Sequence, residues 1–461
     1  MKIKTPFFCL LSKLGRDERG SILIQFTITI VVIIGMIGLA LDGGRFFMLN
    51  NDLQALADAA ALAAAKQLDG ASDALTRADA AARNLNNDVR WWDVAGPKIL
   101  AGTGGVEFFQ TLADIDSSNP TSDPTKANFV KVTTGIWQVA PTFLVAVGAV
   151  SKNSTQATAV AGSTFVACNV QPLMLCNPSE PSQFSANPGD LYGFTVTGNT
   201  GGYSPGDFSL LDPAGQTHSS AGDIENELAA SLPNFCYVNT VSPAQGQKTI
   251  DVASGVNVRF DINPTGNPKG IDATPAPNVI KGDDTNKCLN SQNVTSPPQN
   301  NPTIDLSGDA MPINVGMTAV GSSSIGGTWN TATANSYWSA HHDSSGWPLI
   351  AGVPATRYQV YQMERAGSVA WNGTSAETPA PQCASVPTGD DSRRIISVAI
   401  VNCLAQNISG NRNATVMSNT YADFFLTRPV DQSGIVYAEF VRFMTPQSDG
   451  TKLHQIIQLY R

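Results

Sequence analysis

"SILIQFTITIVVIIGMIGLALDGGRFFMLNNDLQALADAAALAAAKQL", residues 21–68, joins two kinds of helical text without a break. From Ser21 to Leu41 there is no charged side chain, and Ser21, Gln25, Thr27 and Thr29 are the polar ones. As a helix this run is about 30 Å long at about 1.5 Å per residue, enough to span a bilayer. Lys2, Lys4, Lys13, Arg16 and Arg19 precede it and Asp42 follows it. The positive-inside rule then places the N-terminus in the cytoplasm and everything from about Asp42 onward outside. Three machineries read such a signal: a signal peptidase, a leader peptidase cutting after Gly20, or none, which leaves an anchor. Secretory signals have an apolar region of about 7–15 residues, shorter than this one, although Gly38-Leu39-Ala40 is an acceptable cleavage site.

Beyond the run the pattern changes from uniformly apolar to periodic. Leu49, Leu53, Leu56, Ala60, Ala64 and Leu68 recur at spacings of three or four and form one helical stripe. The spacing predicts one rod continuing from the apolar run, with Gly70 as a C-cap. "SDALTRADAAARNLNND" predicts a second helix starting at Ser72 or Asp73. The alanine stripe suits either packing on the protein's own domain or close approach of another chain. Asp42 and Arg45 stand one turn apart where the helix leaves the lipid, placed to pair or to bind headgroups. Ala40 and Gly44, with Gly38 nearby, form a small-xxx-small face suited to a helix contact.

Two resemblances bear on function. The short basic leader ending in Gly20 before an apolar helix resembles type IV pilin leaders, which carry a glutamate five residues after the cut. Here that position is Gln25, whose amide cannot supply the charge, so a regular fibre subunit is not expected. The longer stretch resembles the N-terminal module of TadG-like Flp pilus-assembly proteins. Arg19, Gly20, Asp42, Gly44, Arg45, Leu53, Gln54, Ala57, Asp58, Ala59, Ala60, Ala61, Leu62 and Ala63 match its motifs. "VAPTFLVAVGAVSKNSTQATAVAGSTFVAC", residues 139–168, is similar to the segment that follows in such proteins. The resemblance implies a retained anchor and a role in pilus assembly. Many of these proteins also carry a von Willebrand factor A domain, whose metal loop reads Asp-x-Ser-x-Ser. "DIDSS" at Asp114 and "DLSGD" at Asp305 do not fit that pattern, so no such domain is expected.

Charged residues make up 14% of the 461-residue chain, against roughly 25% in average soluble proteins. The net charge is −9 with a pI near 4.9, and no basic stripe follows the leader, which argues against nucleic-acid binding. Cys9 precedes the apolar run, whereas Cys168, Cys176, Cys236, Cys288, Cys383 and Cys403 follow it. An even set beyond the membrane fits disulfides in an oxidising compartment. Proximity in sequence favours Cys168 with Cys176, Cys383 with Cys403, and Cys236 with Cys288.

Short β-rich runs fill the remainder: "GVEFFQTL", "NFVKVTTGIWQV", "QATAVAGSTFVA", "VNVRFDI", "TRYQVYQM", "RRIISVAIVNC", "YADFFLT", "GIVYAEFVRFM" and "KLHQIIQLY". The last four predict one β-containing domain near the C-terminus. Residues 262–335 are rich in Pro, Asn, Gly, Ser and Thr and read as loops. "HHD" at His341–Asp343 reads as a surface turn, since neighbours on a strand face opposite ways and would not share a metal. No nucleophile elbow, phosphate loop or calcium loop is legible.

The expected fold is α+β: a membrane-spanning helix continuing into a periplasmic helix, then a β-rich, disulfide-containing exported region. The expected divisions are a basic leader (1–20), the membrane helix (21–41), Ala-rich helices (42–90), a β-rich segment (91–180), a loop-rich region (181–300) and a C-terminal β-containing domain (301–461). The expected role is non-enzymatic and without a cofactor. It is assembly or anchoring of a Flp/Tad-type pilus at the inner membrane of a Gram-negative bacterium, with pilin-like or pilus-assembly membrane proteins as partners. No small-molecule substrate is evident. The other reading is a membrane-tethered exported enzyme or carbohydrate-binding module on the same anchor.

Overall fold

A computed structural model describes residues 21–69, 71–85, 105–124, 126–148, 151–197, 201–212, 220–230, 233, 236–237, 240–244, 249–262, 274–277, 310–342, 345–369, 391–410, 414–430, 433–444 and 452–460. The chain divides into two compact units. One comprises residues 1–163 with 457–461, and the other residues 164–456.

In the first unit, helix α1 runs unbroken over Ser21–Ala65, 45 residues. It is the one helix among the described residues that is long and apolar enough to cross a membrane. The run is rich in β-branched residues, which are modest helix formers in water. In a bilayer such a run is helical all the same, because every backbone group there must be bonded internally. The two threonines obey the same demand: Thr27 Oγ1 donates to the Leu23 carbonyl and Thr29 Oγ1 to that of Gln25, each at 2.7 Å. Past Asp42, alanine takes over and favours helix by itself.

Helix α2 (Ala74–Arg83) follows, with Asp73 as its N-cap residue. The first unit also contains the strands Val106–Phe109 and Phe129–Thr133, which pair antiparallel, and Phe129–Thr133 pairs in turn with residues 158–162. Leu49, Leu53, Leu56, Ala60, Ala64 and Leu68 are all buried. They pack with Ala78 and Ala82 of α2, with Val106, Val130, Val132, Ala159 and Ala161 of the strands, and with Ala157 just before the strand Thr158–Cys168. The alanine stripe is therefore covered by the protein's own sheet. Small side chains on both surfaces let the helix lie close to the strands.

Among the described residues, the second unit is built on a nine-stranded sheet. In spatial order its main path is Thr318–Val320, Ser323–Ile325, Leu191–Thr195, Ile435–Phe443, Ala414–Leu426, Ile395–Val401, Leu173–Cys176 and Phe208–Leu210; Thr240–Val241 adds to Ala414–Leu426. Ile395–Val401 and Leu173–Cys176 run parallel. Phe194, Phe208, Phe424 and Phe440 form the aromatic centre of the larger core, and Phe194 stacks on Phe208 at 4.4 Å. Of the four C-terminal runs, three enter this sheet. Leu453–Leu459 instead joins the sheet path of Val106–Phe109, Phe129–Thr133 and Thr158–Cys168.

Two expected strands are helical. "VNVRFDI" forms the end of a helix, Thr249–Asn257, and a 3-10 turn, Val258–Phe260. Its polar and apolar residues alternate as on a half-exposed strand, but Asn257 and Arg259 are as buried as their neighbours. The Asn257 amide exchanges two hydrogen bonds with the Val430 backbone, at 2.8 and 2.7 Å. "TRYQVYQM" lies in helix Arg357–Arg365. Thr356 and Gln359 form a capping box there, a start signal that outweighs the β-propensity of Tyr and Val.

The disulfides also differ from the proximity expectation. Cys168 pairs with Cys236, and Cys176 with Cys403. Strand pairing decides both. Cys168 and Cys236 face each other across an antiparallel pair. Cys176 stands beside Val401 in the parallel pair, two residues before Cys403. Cys9, Cys288 and Cys383 lie outside the described residues. Non-reducing digestion followed by mass spectrometry should yield linked peptides for these two pairs and no peptide joining Cys168 to Cys176.

Candidate functional site

Asp42 ends the uncharged run and is buried, 6% exposed. Its carboxylate accepts the backbone N–H groups of a segment 100 residues later in the chain. Thr142 N–H donates to both oxygens at 3.1 Å, Phe143 N–H to Oδ2 at 2.9 Å, and Leu144 N–H to Oδ2 at 2.8 Å. These donors lead into a 3-10 turn, Leu144–Val147, whose first N–H groups have no partner within the turn. A carboxylate suits them in charge as well as geometry. Arg45 completes the clamp: Nη1 donates to Thr142 Oγ1 and lies 3.6 Å from Asp42 Oδ1. Asp42 and Arg45 pair, one of the two roles their spacing allows, while their main partner is this distant segment.

Above the clamp the same helix face holds the same stretch of chain. Thr155 Oγ1 donates to Asn50 Oδ1 at 2.7 Å. Gln54 Nε2 donates to Asp58 Oδ1 at 2.7 Å and reaches the Thr158 carbonyl at 3.4 Å. Leu53, Ala57 and Ala61 of the same helix are each fully buried. Below the clamp, Gly38 is buried against Leu144, and a Cβ added there would meet Leu144 Cδ2 at 3.1 Å. Ala40 and Gly44 face outward, and a Cβ at Gly44 would have no heavy atom within 4 Å. Gln25 is exposed, and Gly20 lies outside the described residues. Sequence reasoning missed Thr142, Phe143, Leu144, Asn50 and Thr155. Nothing local marks a backbone N–H as the partner of a distant carboxylate.

Burial pushes the Asp42 carboxyl up, but the Leu144, Thr142 and Phe143 N–H groups and the Arg45 charge outweigh it and hold it below its usual value. A carboxyl lowered in the native state stabilises above its unfolded value, about 3.9, and that stability is lost as pH falls through the native value. Exchange of the Thr142, Phe143 and Leu144 amides, corrected for the intrinsic pH dependence of exchange, should therefore accelerate only as the medium becomes strongly acid. Asp42→Asn should remove that corrected pH dependence.

The other chemical candidates are structural. Asp114 of "DIDSS" is the third residue of the helix Leu112–Asp116 and closes a capping box with Thr111, accepting from the Thr111 backbone at 2.9 Å and from Thr111 Oγ1 at 2.6 Å. Asp305 lies outside the described residues. "HHD" is not a surface turn: His341 ends helix Thr331–His341 and His342 follows it, 6% and 0% exposed. The helix sets each ring on the aromatic four residues back, His341 on Tyr337 at 4.1 Å and His342 on Trp338 at 4.0 Å. His342 Nε2 meets Glu364 Oε1 at 3.0 Å, and Tyr337 donates to the same oxygen at 3.2 Å. Among the described residues no group of three or more His, Cys, Asp or Glu side chains is placed to hold a metal.

Comparison with curated proteins and with solved structures finds no match. Asp42, Arg45 and the alanine face up to Ala64 lie within residues 20–67, and this segment matches the Tad family model, Flp pilus-assembly TadE/G-like.

Proposed function

We propose that this chain is a bitopic inner-membrane protein of a Gram-negative bacterium that takes part in assembly or anchoring of a Flp/Tad-type pilus. Its N-terminus lies in the cytoplasm and the bulk of the chain in the periplasm or outside. The observation that carries the reading is the division of α1 within the TadE/G-like segment. Its first half is apolar and bare, and its second half is buried against its own sheet. One unbroken helix thus couples a membrane anchor stiffly to an exported unit, as an assembly component must be coupled to hold position against a growing fibre. Ala40 and Gly44, with the exposed Phe47 and Met48, offer a face to other membrane helices of the apparatus.

The test is an in-frame deletion in a host that builds Flp pili and encodes this chain. The expected result is loss of piliation, restored by the wild-type chain. Protease added outside the inner membrane should degrade the chain beyond Asp42 and spare an N-terminal tag. Normal pili in the deletion strain would remove the assembly role. A tag cleaved from outside would reverse the topology.

A further inference from the structure

The segment clamped by Asp42 is itself apolar. From Ala140 to Val150 the sequence is "APTFLVAVGAV", without a charged residue. Phe143 and Val145 are 45% and 51% exposed. Their height along the helix is fixed by Leu144, whose backbone nitrogen and side chain both lie 3.1–3.3 Å from a Cβ built on Gly38. Gly38 is one turn before Asp42, about 6 Å inside the uncharged run. The neighbouring helix residues Leu39 and Leu41 are also exposed. The apolar surface of the membrane helix therefore continues onto the 3-10 turn at the same level.

The backbone of the turn fits that setting. A polypeptide turn at the edge of hydrocarbon needs its N–H and C=O groups bonded without water. Asp42 takes three N–H groups at the start, and Gly148 N–H closes onto the Leu144 and Val145 carbonyls at the end. Gly148 is left-handed, φ 92°, which allows this closure. Exposed Lys152 follows four residues later in the sequence, and a lysine near a bilayer surface snorkels its ammonium group to lipid phosphates.

We propose that residues 143–145 form an interfacial foot that inserts into the outer leaflet of the bilayer beside α1, with the lipid acyl-chain boundary as its partner. The foot gives the exported unit a second attachment to the membrane and fixes its rotation about the helix. The inference rests on the reading of residues 21–41 as a membrane anchor.

The test uses the full chain in liposomes containing a phospholipid with a photoactivatable diazirine near the carbonyl end of one acyl chain. After irradiation, tryptic peptides are mapped for lipid adducts. Residues 20–45 and 132–152 each lie between tryptic sites. The expected result is labelling of both peptides, in the second at Phe143 and Val145. Phe143→Ser with Val145→Ser should abolish labelling of the second peptide and leave the first unchanged. Labelling of 20–45 alone in the wild type overturns the foot and keeps the anchor. Labelling of neither overturns the anchor reading itself. Crosslinks from Phe143 or Val145 to another protein in native membranes, with no lipid adduct there, assign the surface to a protein partner and also overturn the foot.

Discussion

Asp42→Ala raises the hydrogen-exchange rates of the Thr142, Phe143 and Leu144 amides by about 30- to 700-fold in bilayer-reconstituted protein, equivalent to about 2–4 kcal/mol of lost local stability. A hydrogen bond to a charged group contributes about 1.5–3 kcal/mol net. Three N–H groups share one carboxylate here, so the contributions do not add in full. Water also recovers part of the loss wherever it reaches the freed donors. Asp42→Asn keeps one carbonyl acceptor but not the charge, and should fall between wild type and alanine. Arg45→Ala should cost less than about 1 kcal/mol, since Arg45 is 22% exposed and its ion pair is long at 3.6 Å. If Asp42→Ala left the three amides protected, packing of Leu144 on Gly38 alone would hold the segment.

Glu439→Ala destabilises the second unit by about 3–5 kcal/mol, read as a fall in the denaturant midpoint. Glu439 comes from the strand Ile435–Phe443 and is 1% exposed. It accepts from the backbone N–H groups of Arg357 at 2.9 Å and Tyr358 at 3.0 Å, in the first turn of the helix Arg357–Arg365. It also accepts from Arg357 Nη1 at 3.0 Å. The Arg357 guanidinium is 1% exposed, bonded to the Pro312 carbonyl and to Asn314 Oδ1, and set 4.7 Å over the Trp329 ring. Burial pulls the Arg357 pKa down and Glu439 opposes that pull. Alanine would leave a buried cation without its counter-charge and two helix N–H groups without an acceptor. The double replacement Arg357→Met with Glu439→Leu should recover most of the loss, because no charge is then stranded. A cost for Glu439→Ala below about 0.5 kcal/mol, as for a surface substitution, would show that the pair is solvated in solution.

The legible parts of this protein share a property: each is written in a few adjacent residues. The uncharged run, the alanine stripe and the break to α2 follow from hydrophobicity and helical period. Most β-rich runs were legible for the same reason. Where two local signals competed, as in residues 356–363, the β-propensity of Tyr and Val hid a capping box in the same ten residues. Buried cations left less trace. Arg259 and Arg393 lie almost wholly inside and bond the carbonyls of Leu228, Ala229 and Ala230 at the end of the helix Ala221–Ala229. Nothing in "VNVRFDI" or "SRRII" distinguishes such an arginine from a solvated one.

Sequence by itself determined that this chain has one long apolar helix running into an alanine-faced rod, that a β-rich region follows, and that Asp42 and Arg45 stand at the turn between the two helical texts. Those features depend on side chains within a few residues of one another. Tertiary structure alone decided that Asp42 caps a turn 100 residues away, that the alanine face meets the protein's own strands, and that Cys176 joins Cys403 across a separation of 227 residues. Backbone N–H groups are the same in every residue but proline, and a cysteine carries no mark of its partner. Only the packing of strands and helices brings a particular pair within reach.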